Sequence, residues 1–325
     1  MRIRNLVLVA GLLLSGCVGA PTETAASPDS SATSYTPVTV TNCGVSVTFT
    51  QPPQAAVSLN QGATEVLLSL GLEKQMVGTA YLDDKIASRW QQAYDSVKVL
   101  SGAEYPSKEV FLQAKPDFGY ASYPSAFSAK GVGTREELKT EQISTYISPA
   151  ACPDRDKNTA YSIDQAWAEV SEVARVFGVE DRAQKLVGQQ RADLDQVKTQ
   201  AAGKGKRVFW FDSGTDEAYA GVGGGGPQVI VTAVGATNVF ADVPGAWVSV
   251  SWEKVVQADP DVIVLAEASW STADAKKQRL ESDPVLSQLK AVKNKAYVVV
   301  SFAETTPGVR LVDGAKTVSE QIATI

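Results

Sequence analysis

The sequence predicts an α/β protein of two Rossmann-like lobes, each with a central parallel sheet, joined by a single long α-helix. Apolar runs typical of strands alternate with helical patterns on both sides of residues 162–202, a stretch without any strand signal. Such alternation indicates crossover connections and therefore parallel sheets. The length of 325 residues also exceeds the usual span of one domain and leaves room for two lobes.

The predicted first lobe covers residues 39–180, with strands at AAVSL, MVGTA, FGYAS and ISTYIS. A helix is predicted over residues 64–70, because Gly71 follows as a C-terminal cap. A second is predicted over residues 107–114, ahead of Pro116, which cannot continue a helix. Thr134 and Glu137 have the spacing of a capping box and predict a further short helix.

Residues 181–202 are predicted as the connecting helix, which at 1.5 Å per residue would span about 30 Å. One face carries the apolar residues Ala183, Leu186, Val187, Leu194 and Val197. The second lobe covers residues 203–325, with strands RVFWF, VIVLAE and YVVVS. Helices are expected near residues 228–234 and after Pro307.

The composition argues against several classes of function. Hydrophobic residues make up 44% and charged residues 20%, as in a soluble globular body. A net charge of −6 gives no support for a nucleic-acid partner, which would require a basic patch. The chain contains no His, the commonest transition-metal ligand and general base. We therefore expect no metal site, no cofactor and no Ser-His-Asp hydrolase.

The first 17 residues read as a lipoprotein signal peptide. Arg2 and Arg4 precede the short apolar run LVLVAGLLLSG, and Cys17 follows. LSGC resembles a bacterial lipobox, which would make Cys17 the lipidated (palmitate-bearing) first residue of the mature protein; a simple signal peptide with an incidental Cys is the alternative. Residues 18–38, rich in Ser, Thr, Ala and Pro, are predicted as a flexible tether. We expect an extracytoplasmic protein that meets the membrane only through its lipid.

The remaining cysteines form an even pair if Cys17 carries lipid. Cys43 and Cys152 would then lie in an oxidising compartment, which predicts a disulfide that closes a long loop. Two buried free thiols are the alternative.

One helix-to-strand segment occurs twice. Residues 107–117 read SKEVFLQAKPD and residues 251–261 read SWEKVVQADPD, identical at six of eleven positions. In each copy a Ser occupies the N-cap position and a Glu, Glu109 or Glu253, lies in the first turn. A carboxylate there complements the helix dipole. The same position in both lobes also offers a symmetric basic partner one carboxylate per lobe.

These features together resemble the helix-linked class of substrate-binding proteins of ABC importers, which includes receptors for ferric siderophores, vitamin B12 and haem. The resemblance extends from about Thr39 to the end of the chain. It is most specific in PSKEVFLQAKPD, NVFADVPGAWVSVSWEKVVQADPDVIVL and DPVLSQLKAVKNKAYVVVSFAETTPGVR. It implies a monomeric receptor, not an enzyme, that captures an iron-siderophore-type chelate and delivers it to a homodimeric ABC permease with its ATPase. It also implies that Glu109 and Glu253 dock onto arginines of that permease.

The ligand cleft is expected where strands end, because α/β lobes bind ligands outside the carboxyl ends of parallel strands. An aromatic cleft with one or two Arg suits a bulky, partly anionic chelate. Taken singly, each aromatic residue is as well explained by packing in the core or at a rim. The predicted ligand contacts are Tyr81, Tyr120, Tyr123, Arg135, Tyr219, Trp247, Trp270, Glu304 and Arg310, with Asp212 near them.

A glycine-rich run, GVGGGG at residues 221–226, precedes a predicted helix. It lacks the Lys-Ser/Thr ending of a nucleotide P-loop. We interpret it as a mobile loop on the cleft, with phosphate contact through helix N-terminal amides as the alternative.

Other functions stay open at this point. The same architecture could carry a corrinoid, haem or an anionic deazaflavin coenzyme precursor. A lipid-anchored hydrolase with paired carboxylates would show turnover rather than tight binding, and a sensor lipoprotein would lack permease and ATPase genes nearby.

Overall fold

The computed structural model describes residues 35–156 and 159–325. The predicted signal peptide, Cys17 and most of the predicted tether lie outside the described residues. The described strands are β1 (Val38–Asn42), β2 (Val45–Phe49), β3 (Ala56–Leu59), β4 (Met76–Ala80), β5 (Val99–Ser101), β6 (Phe118–Ala121), β7 (Ser144–Ile147), β8 (Arg207–Ser213), β9 (Ala218–Gly221), β10 (Thr237–Asn238), β11 (Trp247–Val250), β12 (Val262–Glu267) and β13 (Tyr297–Ser301).

The α-helices of the described residues alternate with these strands. They are α1 (Gln61–Ser69), α2 (Gln91–Asp95), α3 (Lys108–Gln113), α4 (Arg135–Thr140), α5 (Ile163–Phe177), α6 (Glu180–Gln200), α7 (Gly226–Ala233), α8 (Trp252–Ala258), α9 (Ala273–Ser282), α10 (Lys290–Lys293) and α11 (Leu311–Ile322). The predicted capping box is present, since the hydroxyl of Thr134 and the carboxylate of Glu137 bond each other's backbone N–H groups.

The first lobe holds a five-stranded sheet in the order β5-β4-β3-β6-β7, with every pair parallel. All residues of β3 and β6 are buried, as expected of central strands covered on both faces. The chain leaves β3 toward β4 and later returns to its other side as β6. The topological switch point, where ligands of such folds bind, therefore lies between β3 and β6.

The second lobe differs from the predicted parallel sheet. Its order is β11-β9-β8-β12-β13, with β10 also paired to β8. Strands β8, β10, β12 and β13 run parallel, but β9 is antiparallel to both β8 and β11. The short link between β8 and β9 explains the difference: it contains Gly214 at φ 99° and permits a hairpin, whereas a parallel pair needs a long crossover.

A hairpin of β1 and β2, which was not predicted, opens the described chain. Its turn residues Cys43 and Gly44 both have positive φ, 46° and 77°, the pattern of a two-residue turn. The side-chain amide of Asn42 holds the hairpin to β7 by bonding both the N–H and the C=O of Ile147, each at 2.8 Å. The signal was available in the alternation VTVTN–CG–VSVTF.

Residues 35–38 belong to the folded body rather than to the tether that was predicted to include them. The hydroxyl of Tyr35 donates to the carbonyl oxygen of Val176 at 2.9 Å, and β1 already begins at Val38.

Helices α5 and α6 join the two lobes. Helix α5 ends before Gly178, which adopts the left-handed conformation at φ 66°. Helix α6 contributes Ala183 to the core of the first lobe and both Leu194 and Val197 to that of the second. Its Gln190 side chain accepts from the indole of Trp167 at 2.8 Å and donates to the carbonyl of Val309 at 2.7 Å. The predicted long helix is therefore present and packs into both cores.

The predicted disulfide is confirmed: Cys43 and Cys152 are bonded, with their Cα atoms 5.1 Å apart. It fastens the hairpin turn to the segment that follows β7. Among the described residues no helix is both long and apolar enough to cross a membrane.

Candidate functional site: the cleft between the lobes

A cavity of about 680 Å³ lies between the lobes, at the carboxyl ends of the strands. The first lobe contributes residues 82–88, which follow β4. The second lobe contributes Glu267, Ala268 and Ser269 at the end of β12, Ser301 at the end of β13, and Arg310. The volume is within the usual range for sites that take small molecules.

Two adjacent carboxylates form one wall of the cavity. Asp84 accepts from the hydroxyl of Ser301 in the opposite lobe, and also from the N–H of Lys85 at 2.7 Å. Burial, followed by the neighbouring charge of Asp84, raises the pKa of Asp83 to about 6. Neither residue was predicted as a ligand contact, although YLDDK directly after a predicted strand was a usable signal.

Arg310 lies at the centre of a network of carboxylates that joins the lobes. Its guanidinium lies 3.4 Å from Glu65 of the first lobe, 2.6 Å from Glu304 and 3.8 Å from Asp313. Burial raises the pKa of Glu65 to about 7, although the charge of Arg310 acts in the opposite direction. Arg310 lines the cavity as predicted, but its charge is already balanced by these carboxylates.

Glu304 is not among the residues that line the main cavity. It lines a second cavity, of about 280 Å³, which shares Arg310 with the first. The hydroxyl of Thr317 donates to its second carboxylate oxygen at 3.1 Å.

Three tyrosines of the first lobe gather near Asp83. The rings of Tyr81 and Tyr105 meet edge to face with centroids 4.8 Å apart, and Tyr81 has a left-handed backbone at φ 61°. Tyr123 is 38% exposed. Burial is the largest cause that raises the pKa of Tyr123, and the charges of Asp83 and, from the opposite lobe, Asp212 add to it.

Asp212 and Tyr219 of the second lobe lie on the neighbouring strands β8 and β9, and neither is among the residues that line the cavity. Asp212, next to last in β8, is only 2% exposed, and one of its carboxylate oxygens accepts from the hydroxyl of Ser213 at 3.1 Å. The other oxygen, Oδ1, has no hydrogen-bond partner among the described residues. Burial raises the pKa of Asp212. Tyr219 is 41% exposed, and its pKa is raised by burial and by the charge of Asp212.

The two predicted tryptophans occupy different positions. Trp270 is 55% exposed beside the cavity-lining Ser269 and packs edge to face on Phe302, with centroids 5.4 Å apart. Trp247 begins β11, pairs with Gly221 and is half-buried; it is not among the residues that line the cavity.

Tyr120 and Arg135 do not lie in the cleft, and their assignment as ligand contacts is wrong. Tyr120 lies within β6 rather than after it, so its side chain is buried in the core and donates to Glu169 at 2.5 Å. Arg135 faces the hairpin, where its guanidinium donates to the carbonyl of Asn42 at 2.8 Å and to that of Thr145 at 2.9 Å.

The glycine-rich run is a packed turn rather than a loop open to ligand. Successive N–H groups of Val222, Gly223 and Gly224 donate to carbonyls of residues 243–246. A Cβ on Gly223 would lie 1.9 Å from the carbonyl oxygen of Ala241. Close backbone approach therefore explains the glycines, and the interpretation as a mobile loop is wrong.

Glu109 and Glu253 occupy equivalent, fully exposed positions. Each lies in the first turn of its helix, and its own N–H together with the N-cap hydroxyl, of Ser107 or Ser251, lowers its pKa. Both carboxylates are therefore ionised at neutral pH and free of ion pairs within the described part of the chain. No cluster of metal-ligating side chains occurs among the described residues.

Two α/β lobes, a rigid helical connection and one cleft at their strand ends define a two-lobed binding protein. The chain belongs to the periplasmic binding protein family, whose model matches residues 57–301. Over 97% of its length it is 26% identical to an uncharacterised ABC transporter substrate-binding lipoprotein of Bacillus subtilis, and the match covers 95% of that protein.

Solved structures agree with this assignment. A periplasmic binding protein from Veillonella parvula is 30% identical, with a TM-score of 0.79 over 89% of this chain and 98% of that one. A protein described as an ABC-type Fe³⁺-hydroxamate transport system, from Saccharomonospora viridis, is 26% identical, with a TM-score of 0.73 over 88% and 98%. The chain is thus an extracytoplasmic substrate-binding protein of the ABC type, in a family that delivers ligands to a permease and its ATPase.

Proposed function

We propose that this protein captures an iron-siderophore-type metal chelate and delivers it to an ABC permease. The observation that carries the proposal is the cavity of about 680 Å³ between the lobes, which is large enough for a compact chelate. The similarity to the Saccharomonospora viridis protein, whose description names Fe³⁺-hydroxamate transport, supports a hydroxamate as the first cargo to test.

The cargo alternatives differ in charge, which the cleft can discriminate. Asp83, Asp84 and Glu267 all line the cavity, and Arg310 is already paired. Haem and an anionic deazaflavin precursor carry negative charge, so these carboxylates disfavour them. A neutral or cationic ferric chelate meets no such repulsion.

Delivery is proposed to depend on Glu109 and Glu253. Both are exposed, ionised and placed alike in their helices, so a homodimeric permease can bind each through an arginine. Cys17 is proposed to carry the lipid that holds the receptor at the outer face of the membrane.

Binding and delivery can be tested separately. Native mass spectrometry and intrinsic Trp fluorescence should detect a ferric trihydroxamate and distinguish it from cobalamin, haem and a deazaflavin. Trp270→Ala should weaken that binding. If only cobalamin, haem or the deazaflavin binds, the iron-chelate proposal is rejected.

Glu109→Ala combined with Glu253→Ala should abolish uptake into cells and leave affinity in solution unchanged. The matched control replaces two other exposed glutamates, Glu136 and Glu320, by Ala. Normal uptake in cells that carry the Glu109→Ala, Glu253→Ala variant, or loss of ligand binding by that variant in solution, would reject the docking role.

A further inference from the structure

We propose that an apolar pocket beside Glu253 receives a large apolar side chain of the permease, from the same segment whose basic residue pairs with Glu253. The pocket has a volume of about 410 Å³ and lies between α8 and the residues that follow α9. The inference rests on the proposed docking role of Glu253 and names a further feature of the partner. The lining includes Trp252, Val256, Val285 and Leu286, together with Glu253 and Asp283.

The inner wall of the pocket is held in place by contacts within the second lobe. The indole N–H of Trp252 donates to the carbonyl of Thr215 at 2.8 Å, and its ring meets that of Phe211 edge to face, with centroids 5.1 Å apart. Leu286 is only 2% exposed and belongs to the core. A partner therefore meets a pocket that is already formed, so binding there costs little in ordering of the receptor.

The outer wall of the pocket is open and apolar. Val285 is 59% exposed and continues the half-buried apolar surface of Trp252 and Val256. A single exposed Val is ordinary, but protein interfaces characteristically seat an apolar side chain of one partner in such a pocket of the other. Burial of one large apolar side chain corresponds to a change in affinity of about tenfold or more.

Two carboxylates of the pocket define the charge of the partner. Asp283 accepts from the N–H groups of Val285 at 2.9 Å and Leu286 at 3.0 Å, and these bonds lower its pKa. Glu253 is exposed and its pKa is lowered as well. Both are ionised at neutral pH, so the pocket favours a segment in which a basic residue neighbours the apolar one.

The corresponding surface of the first lobe has a different chemistry. Within the repeated segment, Lys108 occupies the position of Trp252. Its ammonium lies 3.6 Å from the carboxylate of Glu137, so the first lobe presents an ion pair next to Glu109 where the second presents an indole. The two docking surfaces are therefore unequal, and we expect the second lobe to contribute more of the affinity for the permease.

The first experiment maps the contact by photo-cross-linking in cells that produce the full-length protein together with the permease. A photoreactive phenylalanine analogue at position 285 should give an adduct with a permease subunit, identified by mass spectrometry. The same analogue at position 110, next to Glu109, reports docking of the first lobe. At position 99, on an exposed residue at the amino end of β5, it should give no permease adduct. An adduct from position 285 with a second copy of this chain overturns the permease as occupant.

The second experiment separates the apolar contact from the charge contact. Val285→Asp removes apolar surface but adds a carboxylate, which a basic partner would favour if charge alone decided binding. We expect the yield of the permease adduct from position 110 to fall about tenfold in this variant. Val285→Ile should keep the yield, and Val99→Asp, the same change at an exposed Val outside the pocket, should not alter it. Circular dichroism verifies that each variant is folded. An unchanged or increased yield in Val285→Asp overturns the pocket.

The outcomes separate this inference from the proposed docking role of the glutamates. Loss of the adduct in the Glu109→Ala, Glu253→Ala variant but not in Val285→Asp supports docking through the glutamates and overturns the pocket. Loss in Val285→Asp but not in the glutamate variant supports the pocket and overturns the role of the glutamates. Absence of a permease adduct from both position 110 and position 285 overturns both.

Discussion

Replacement of Glu169 by Gln tests the energetics of the core of the first lobe. Glu169 lies on α5 and is buried, and its carboxylate accepts from the hydroxyls of Tyr120 at 2.5 Å and Ser148 at 2.9 Å. No cation forms an ion pair with it among the described residues. A Gln side chain keeps the shape and can bond both hydroxyls, but it carries no charge to bury.

The size of the effect follows from the pKa of Glu169. Burial raises that pKa from an ordinary 4.5 to about 7, against the hydrogen bonds from Tyr120 and Ser148, which lower it. Between these values the folded protein holds a proton that the unfolded chain has released. The free energy of unfolding therefore falls as pH rises across this window, by on the order of 3 kcal/mol in total.

Urea unfolding of wild-type protein and Glu169→Gln at several pH values between 4.5 and 8 measures this contribution. Near pH 4.5 the variant should be equal or about 1 kcal/mol less stable, because one hydrogen bond is poorer. At pH 8 it should be more stable by about 2 kcal/mol. Glu136→Gln, an exposed change on α4, serves as the control. The difference in unfolding free energy between this variant and the wild type should not change with pH. A difference between wild type and Glu169→Gln that stays constant with pH would refute the reasoning.

Three further perturbations have defined outcomes. Cys43→Ser with Cys152→Ser opens a loop with a sequence separation of 109 residues, so the free energy of unfolding measured in urea should fall by about 4–5 kcal/mol. Reduced wild-type protein should be destabilised equally. An unchanged urea midpoint of unfolding in the double variant would contradict this expectation. Arg310→Ala leaves buried carboxylates unpaired and should lower the free energy of unfolding in urea by about 3–5 kcal/mol. A decrease below about 1 kcal/mol would show that the carboxylate network contributes little to stability. Gly223→Ala brings a Cβ to 1.9 Å from a backbone oxygen and should lower the free energy of unfolding by about 1–3 kcal/mol. Gly188→Ala, whose Cβ meets nothing within 4 Å, should be stabilising by up to about 1 kcal/mol, and similar losses in both would refute the packing argument.

The two glutamates of the repeated segment show what local pattern can predict. Ser107 and Ser251 were expected to begin helices with Glu109 and Glu253 in their first turns, and both helices do so. Caps and periodicity depend on residues a few positions apart, which one sequence displays directly. The strands at MVGTA and YVVVS were likewise predicted at their observed bounds.

The cleft was predicted less well, because membership depends on side-chain direction. Tyr120 and Tyr123 stand three residues apart, yet Tyr120 is buried in the core and Tyr123 is 38% exposed. Which of them turns outward depends on the residue at which β6 ends, and strand ends are the least certain part of a sequence prediction.

The sequence by itself determined the two-lobed α/β plan, the long helix, the disulfide pair and the matched glutamates. Only the tertiary structure decided the character of the cleft. Arg310 was expected to contact a partly anionic ligand, but the fold places its guanidinium 2.6 Å from Glu304 and brings Glu65, 245 residues away in sequence, to within 3.4 Å of it. The charges of Asp83 and Asp212, which belong to different lobes, likewise both raise the pKa of Tyr123. The charge a ligand meets is a sum over groups distant in sequence, and only their positions in the folded chain determine that sum.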